Sequence, residues 1–464
     1  MAAIITKDTR LLNARAFVES VSESENTVYY VFLGRPTTWP IEYAPPQAVD
    51  NYATQRDVWN NMEAMKLVTT NDVIHAIPRY NWTLGNIYAQ YNDRIPSSNL
   101  FDSRYFVINS EYNVYKCLSN GHGAANVTVN APTGTGGTYD GLIKNTGSTQ
   151  DYYVWKFMYT IPAGSWVKFG TTSFIPVLAA SADTLSKAGN VQGIYGYNIV
   201  SANLGESTSV TDGLYYLKVV GTGDNNANAV VRITGGDVAN LTVKDYGNLY
   251  SKAKVTGLIY GSTTFAVGNV VIEPILSPPG GHGSDTIDEL GGIYAMVNVR
   301  FEQTDAPIIP IDNFKFRQIG VIKDPLLSTS FHPTEKIPTL TTANSLLRAY
   351  SNIEISGSIT NSDKLISGAV ITGTNGANAT VVGYSGTVIN YIQSESSSSN
   401  VEANFKAFNV SDSLFVGTSG IGVINKLGNA AVSPYSGEII YIDNRNVITR
   451  ATDQVEDVYV VIEF

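Results

Sequence analysis

Four histidines are the chain's first candidates for acid–base or metal chemistry: His75, His122, His282 and His332. They lie in separate segments, and none stands at metal-ligand spacing from another. His122 and His282 each occupy a Gly-His-Gly tripeptide, which could expose an imidazole for catalysis or metal binding. A flexible turn explains the same tripeptides, and the prolines just before the second one favour the turn. The histidines therefore predict neither a zinc site nor a general base.

The other motifs that carry chemistry are incomplete. The glycine-rich run 133–137 lacks the Lys-Ser/Thr of a phosphate loop, and the chain has no Gly-x-Ser-x-Gly elbow. Asp224 and its two following asparagines offer oxygen ligands to calcium, but a hairpin turn accounts for them. The single cysteine, Cys117, excludes an intrachain disulfide and a thiolate metal site. We therefore predict no enzyme activity, no cofactor, no metal and no small-molecule substrate.

The composition favours protein contacts over nucleic-acid binding. Apolar residues make up 43% of the 464 residues and charged residues only 15%. The chain contains 28 tyrosines and 41 glycines. The formal net charge of −10 opposes binding to a phosphate backbone. The closest basic run, residues 317–323, is interpreted as a solvated strand face. The N-terminus lacks the apolar core of a signal peptide, and no segment is long and apolar enough to insert into a membrane.

Strand patterns dominate the elements that must position any site. Residues 27–33 form a continuous apolar run typical of a strand buried on both faces, and residues 153–161 alternate with aromatics on one face. One helix is predicted, with Thr54 and Asp57 as a capping box and Val58, Met62 and Met65 at helical spacing. Residues 343–350 predict a second, short helix.

The length predicts several domains, and two segments rich in Gly and Asn interrupt the rest. They share a phrase, a Gly/Asn turn followed by small residues, at 221–231 and 373–382. We predict a mainly β, multidomain β-sandwich protein with a few short helices. Its predicted divisions are an N-terminal domain with one helix, a first β insertion, core strands, a second β insertion and closing strands, at 1–170, 171–290, 291–354, 355–430 and 431–464.

Eight phrases in chain order resemble one known family. They begin at 26–35, with Trp39, and continue at 57–59, at 76–79 with Trp82, at 114–118 and at 153–157. Residues 316–322, 436–445 and the closing strand complete the series. Together they cover about half the chain and are similar to the baseplate wedge subunit of T4-like contractile-tailed phages, the gene product eight family. The two Gly/Asn-rich segments exceed the compact version of that family.

The resemblance implies a function in assembly. It implies a β-sandwich-based structural protein that forms a homodimer in each wedge and binds other baseplate wedge subunits. The expected location is the tail baseplate of the virion, after assembly in the host cytoplasm. No nucleic acid, membrane insertion or catalytic residue follows from it.

Eight residues are candidates for scaffold or assembly contacts. Arg35, Arg317 and Arg445 suit bidentate polar contacts, with pairing inside the fold favoured over pairing across subunits. Aromatic residues either fill a core or anchor an interface, and the core is the commoner location. The aromatic candidates are Trp39, Trp82, Trp155, Tyr459 and Phe464.

The last two candidates belong to residues 457–464, where both strand faces carry bulky side chains. One face is expected in the core, and the other is expected to be covered by a neighbour.

Two other functions fit parts of the sequence. Small β-modules rich in Gly, Asn and Tyr also suit a phage receptor-binding or tail-fibre protein that recognises carbohydrate, although a long repetitive shaft is missing. A polysaccharide-degrading tail enzyme would need a carboxylate pair in an aromatic cleft.

Overall fold

A computed structural model gives the fold, and the chain divides into two compact units. Unit 1 comprises Met1–Arg15, Ile74–Ala295 and Glu463–Phe464, and unit 2 comprises Ala16–Val73 and Met296–Ile462. The structure describes residues 4–23, 27–120, 127–135, 142–144, 151–181, 185, 192–205, 209–302, 305, 314–328, 345–393, 406–451 and 454–464.

Strands far outnumber helices in the described ranges. The helices are α1 (Lys7–Ser22), α2 (Tyr52–Asn61), α3 (Ser97–Asp102), α4 (Ala163–Phe169) and α5 (Thr286–Glu289). The first strands are β1 (Tyr29–Gly34), β2 (Met62–Leu67), β3 (Val73–Pro78), β4 (Phe106–Ile108), β5 (Asn113–Asn120), β6 (Leu142–Lys144), β7 (Tyr153–Thr160), β8 (Phe174–Pro176), β9 (Ile194–Ser201), β10 (Gly213–Gly221), β11 (Asn228–Thr234), β12 (Asp237–Asp245) and β13 (Ala253–Tyr260). The remaining strands are β14 (Thr263–Phe265), β15 (Val271–Leu276), β16 (Tyr294–Phe301), β17 (Lys315–Lys323), β18 (Leu346–Arg348), β19 (Ser351–Ile355), β20 (Val370–Gly373), β21 (Asn378–Ser385), β22 (Val388–Ile392), β23 (Ser413–Val416), β24 (Ser419–Gly428), β25 (Glu438–Thr449) and β26 (Glu456–Glu463).

Unit 1 is built from antiparallel sheets. Strands β4, β5, β7 and β6 form one sheet in that order, and β12, β11, β10, β13 and β14 form another. Strand β9 pairs with β15, and β3 pairs with β8. The five-stranded sheet buries the inward residues of β10 and β11, including Tyr215, Leu217, Ala229 and Val231. This alternation of buried and exposed residues is typical of a sheet with one face on a core.

Unit 2 contains a five-stranded sheet in the order β18-β2-β1-β17-β25 and a closed barrel in the order β19-β22-β21-β20-β23-β24. Strand β16 lies beside β26. The barrel interior is filled by small and branched residues such as Ile353, Ala379, Val381 and Ile389, all at 0% exposure. A filled interior makes the barrel a packed core with no channel.

The predicted fold class, a mainly β multidomain protein with a few short helices, is confirmed. All six residues of β1 are buried, as the continuous apolar run predicts. The second Gly/Asn-rich segment corresponds closely to the closed barrel. The predicted division into five segments stays a prediction.

The predicted helix near residue 54 exists, but its limits were wrong. Asn51 is the N-cap, and its side chain accepts a hydrogen bond from the Thr54 N–H. The helix ends at Asn61, and Met62 and Met65 lie in β2, where both are fully buried. Pairing of β2 with β1 and β18 supplies the backbone hydrogen bonds that a longer helix would have made.

Three other predictions needed correction. The region predicted as a short helix at 343–350 contains strand β18, because residues 346–348 pair with β2, while residues 343 and 344 lie outside the described part. The run 317–323 is not a solvated face: Arg317 is buried and β17 lies between two neighbours. Strand β7 was expected to be half-buried with one aromatic face, but Lys156 and Met158 on its other face are also buried. Helix α1 was not predicted.

The barrel should be removable because the chain enters and leaves it at one place. The Ala431 N–H donates to the Arg348 carbonyl at 3.0 Å, so the two ends of the insertion are neighbours. We expect a chain with residues 351–428 replaced by a short Gly/Ser linker to remain soluble and to melt cooperatively, with a lower Tm than the full chain. Differential scanning calorimetry checks this. Loss of any cooperative transition would show that the rest of unit 2 needs the barrel.

Candidate assembly site

Four of the eight candidate residues meet in unit 2, in a cluster that we call the arginine clamp. The Arg35 guanidinium lies 3.8 Å from the centre of the Trp39 ring, and the Trp39 indole N–H donates to the Arg445 carbonyl at 2.8 Å. The Arg445 side chain donates to Asp443 at 2.7 Å. The clamp therefore joins the segment after β1 to the edge strand β25.

Arg317 connects the clamp to the sheet interior. Its Nε donates to Glu42 Oε1 at 2.6 Å, and its Nη1 donates to the Pro36 carbonyl at 2.6 Å. The other Glu42 oxygen accepts the Trp39 backbone N–H at 3.0 Å. Glu42 thus bridges two of the predicted residues, although it lies in an irregular segment whose sequence carries no periodic signal.

Arg35 is held by a carboxylate and by its backbone. Its Nη1 lies 3.1 Å from Asp57 Oδ2, and its φ of 64° is unusual for a residue with a side chain. Burial lowers the pKa of Arg35, and the charge of Asp57 opposes that shift. Arg35, Arg317 and Arg445 were expected to pair inside the fold, and each makes a polar contact within this chain. Their contacts immobilise the 36–46 segment on the sheet.

A second carboxyl lies close to the clamp without a hydrogen bond. Glu63 in β2 has 0% exposure, and within the described part of the chain neither of its carboxyl oxygens has a hydrogen-bond partner. Burial raises its pKa well above the usual range, while the charge of Arg317 opposes the shift. Glu63 is therefore a buried acid that holds its proton longer than an exposed glutamate does.

This acid predicts a pH-dependent stability. Above about pH 4.5 the unfolded chain releases the Glu63 proton while the folded chain retains it, so the free energy of unfolding falls as pH rises toward the folded-state pKa. The slope is up to about 1.4 kcal/mol per pH unit. We expect Glu63→Gln to remove this term, so that the variant gains stability relative to the wild type between about pH 5 and pH 8. Urea unfolding over that range measures it, with exposed Glu438→Gln as the control. Parallel pH curves for wild type and Glu63→Gln would contradict the prediction.

Within the described part of the chain, strand β25 presents an open edge. It pairs with β17 on one side and stands at the end of its sheet. It is 12 residues long, and none of them is buried. Ile440 and Val447 are exposed apolar residues in it, and it contains no proline or lysine. Native edge strands are usually short or protected by charges, proline or bulges. β25 carries the charged residues Glu438, Asp443 and Arg445, but it is long, so its unpaired side is a place where another chain can add a strand.

A groove of about 480 Å³ lies at the start of that edge. Tyr52 and Trp59 of α2 form one side, and Tyr435 and Ile439 form the other. The Trp59 and Tyr435 rings are 6.4 Å apart. Arg56 is the cation in the lining. Aromatic and arginine side chains of this kind concentrate binding energy at protein interfaces.

Trp82 and Trp155 belong to an aromatic core in unit 1. Trp155 is buried and stacks on Tyr153 at 5.3 Å with an interplanar angle of 11°. Trp82 is half-buried against the same cluster, and its indole N–H donates to Thr128 Oγ1 at 3.2 Å. Their location fits the core alternative.

Tyr459 and Phe464 lie at the end of the chain. In β26, Val458 and Val460 are buried, while Tyr459 on the opposite face and Phe464 after the strand are half-buried. The Phe464 N–H donates to the Ile293 carbonyl at 3.1 Å. The strand therefore has one core face, as predicted, and a second face that its own chain covers only in part.

A buried ion pair in unit 1 was not predicted. Lys116 Nζ donates to Glu289 Oε2 at 2.7 Å, and the other Glu289 oxygen accepts the Gly283 N–H at 2.7 Å.

His282 is buried beside this ion pair. Its Nδ1 lies 3.9 Å from Glu289 Oε2, and its ring centre lies 5.1 Å from that of Tyr91. His282 lies in a turn, as expected, but its side chain is buried. Burial lowers the pKa of His282, and the charge of Lys116 adds to that effect. His122 and His332 lie outside the described residues.

Three carboxylates and Tyr91 line a cavity of about 540 Å³ in this unit. One is Asp93, whose pKa is raised by burial. The other two are Asp288 and Glu289. Both are engaged by cations: Glu289 by Lys116, and Asp288 by Lys7 Nζ at 2.7 Å. A carboxylate fixed in an ion pair is a poor proton donor or acceptor. Asp288 and Glu289 are therefore poorly placed to act as a free acid and base.

Across the described ranges, no group of three or more His, Cys, Asp or Glu is arranged to hold a metal ion. None of the described helices has the length and apolarity needed to cross a bilayer. No protein-family model matches the chain, and a search of curated proteins finds no significant match.

Proposed function

We propose that this chain is a structural subunit of a phage tail baseplate wedge that acts through protein–protein assembly. One observation carries the proposal: three of the family-like phrases form the adjacent strands β1, β17 and β25, and the last of them is an open edge. Phrases far apart in sequence that share one sheet behave as a single structural signature.

Close packing across these three strands explains one residue of the signature. A Cβ at Gly320 in β17 would collide with the Phe32 ring in β1 and with the Tyr441 carbonyl in β25. Any larger residue would push the edge strand away from the sheet. The glycine in this phrase therefore allows β25 to pack closely on β17 and β1.

The arginine clamp supports the same function. It fixes the 36–46 segment at Arg445, near the middle of β25, and leaves the 438–443 part of the edge open beside the aromatic groove. A preorganised edge loses little conformational entropy when a partner strand binds. Rigid, weakly charged contact surfaces suit a subunit that transmits force within a contractile tail.

Carbohydrate recognition is the second candidate, and the aromatic groove favours it. Tyr52, Trp59 and Tyr435 offer ring faces beside the polar side chains of Gln55 and Arg56. A receptor-binding protein would bind host glycans there, and Tyr52→Ala would abolish that binding while leaving the fold intact. Glycan binding by the wild-type chain that Tyr52→Ala removes would favour this candidate over the wedge subunit.

Reconstitution tests the proposal. The chain is co-expressed with the tail proteins of the same phage, and the products are examined by native mass spectrometry. We expect a stable complex of fixed stoichiometry, and we expect Ile440→Lys on the open edge to weaken it. Val370→Lys in the barrel is the matched control, because the two residues are 39% and 37% exposed. A wild-type chain that joins no tail protein at any concentration would contradict the proposal.

A further inference from the structure

The five-stranded sheet of unit 1 and the barrel of unit 2 are two copies of one module. The first has the order β12-β11-β10-β13-β14, and the barrel has β22-β21-β20-β23-β24, with β19 closing it. Each strand of the first therefore has a counterpart in the second at the same place in the sheet. In both copies a two-residue hairpin turn with a glycine at positive φ joins the last two strands, Gly261 at 58° and Gly417 at 59°.

Equivalent side chains confirm the match. A Cβ at Gly221, the last residue of β10, would lie 2.9 Å from the Tyr250 ring, and one at Gly373, the last residue of β20, would lie 3.0 Å from the Phe408 ring. The threonine after each glycine caps the neighbouring strand in the same way. Thr222 Oγ1 accepts the Ser251 N–H at 2.9 Å, and Thr374 Oγ1 accepts the Ser413 N–H at 3.2 Å.

The two copies differ at two outward positions of one strand. In the barrel, Ala379 and Val381 point inward, so Thr380 and Val382 point outward. These two residues are nevertheless buried, at 0% and 1% exposure. Both copies contain the tripeptide Ala-Asn-Ala, at 227–229 and at 377–379. Aligning these tripeptides makes Val230 and Arg232 of β11 the counterparts of Thr380 and Val382, and Arg232 is exposed.

The uncovered face of the first copy is apolar and basic. On β10, Leu214, Tyr216 and Val220 are 53%, 53% and 50% exposed. Leu214 pairs across the strands with Arg232, and Val220 pairs with Lys254. We call this surface the basic face; it consists of Leu214, Tyr216, Lys218, Val220, Arg232 and Lys254.

Its cations have no counter-charge in the described part of the chain. Lys218, Arg232 and Lys254 form no ion pair there, although the chain as a whole carries a net charge of −10. A two-fold pairing of two basic faces would bring like charges together, which is unfavourable. Exposed apolar residues interleaved with unpaired cations fit a surface that combines apolar side chains with carboxylates.

We propose that the basic face docks an acidic surface of a different protein subunit. The inference rests on the proposed function, because it assigns one of the subunit's assembly surfaces. It places this contact on β10, β11 and β13 in unit 1, separate in sequence and in sheet from the open edge of β25.

Lysine footprinting of the wild-type chain tests the proposal. The free chain and its complex with the tail proteins are acetylated, and each lysine's modification is measured by mass spectrometry. We expect Lys218 and Lys254 to be protected in the complex, while Lys406 and Lys426 of the barrel segment stay reactive. The double reversal Lys218→Glu/Lys254→Glu should raise the Kd of the complex by about a hundredfold, since it opposes like charges across the interface. Lys406→Glu/Lys426→Glu, with the same change in net charge, should leave the Kd unchanged.

The outcomes separate the two proposals. If the complex forms and Lys218 and Lys254 remain as reactive as in the free chain, the basic face is not a docking surface and the proposed function still stands. If no complex forms, the proposed function fails and this inference fails with it. Protection of the two lysines by a single-stranded oligothymidylate, but not by the tail proteins, would identify a nucleic-acid surface and overturn the proposal.

Discussion

Replacing Lys116 with Met is expected to lower the free energy of unfolding by about 3–5 kcal/mol. Lys116 and Glu289 are both buried, and their 2.7 Å contact is the main compensation for burying two charges. Removing the ammonium leaves the Glu289 carboxylate in a dry site with backbone donors and no cation. The large cost comes from that uncompensated charge, since the intact pair itself contributes little net stability. Chemical denaturation monitored by tryptophan fluorescence measures the change.

Two controls distinguish this explanation from simple loss of packing. Lys364→Met removes an exposed lysine paired with Asp363 at 3.0 Å, and its effect should stay within about 1 kcal/mol. The double variant Lys116→Met/Glu289→Gln should regain part of the lost stability, because a neutral amide needs no counter-charge. If Lys116→Met destabilises no more than Lys364→Met, the buried pair is not holding this region together.

Removal of the last six residues, 459–464, is expected to destabilise the chain by more than about 4 kcal/mol, at about 2 kcal/mol for each apolar side chain lost from the core. Val460 has 0% exposure and Ile462 is partly buried. The truncation also leaves β16 without its neighbour on that side and removes the Phe464 contacts to Ile293 and Arg10. An unpaired strand edge with apolar residues promotes aggregation.

The truncated chain should therefore be largely insoluble, or should melt far below the full chain. Thermal unfolding followed by circular dichroism measures the change in Tm. Val455→Ser, at an exposed residue just before β26, should change stability by no more than about 0.5 kcal/mol. A truncated protein that is soluble, keeps its Tm and still joins the tail proteins would show that β26 is dispensable.

Strands were easier to predict than contacts between distant segments. The continuous apolar run of β1 and the bulky run of β26 are local signals of a strand, and both segments form strands. Helix α1 also has a local signal, since its buried residues Leu11, Ala14 and Phe17 recur every three positions. That signal was missed because polar residues dominate the rest of the helix.

The arginine clamp shows what sequence patterns can and cannot supply. Arg35, Trp39, Arg317 and Arg445 were singled out from family-like phrases, and the structure brings them together. Their partner Glu42 had no signal, because irregular segments have no periodicity. The pair Lys116 and Glu289 is separated by 173 residues, so only the tertiary fold could reveal it. For α2, the helical spacing of Met62 and Met65 was overridden by strand pairing with β1.

The copy number of the chain in purified, intact tails tests the central claim most directly. Quantitative mass spectrometry of the particles, with antibody labelling in electron micrographs, gives both the stoichiometry and the location. A baseplate wedge subunit is expected in a fixed number per particle, with the label confined to the baseplate end of the tail. Absence of the chain from intact particles, or label at the tips of fibres, would contradict the assignment to the wedge.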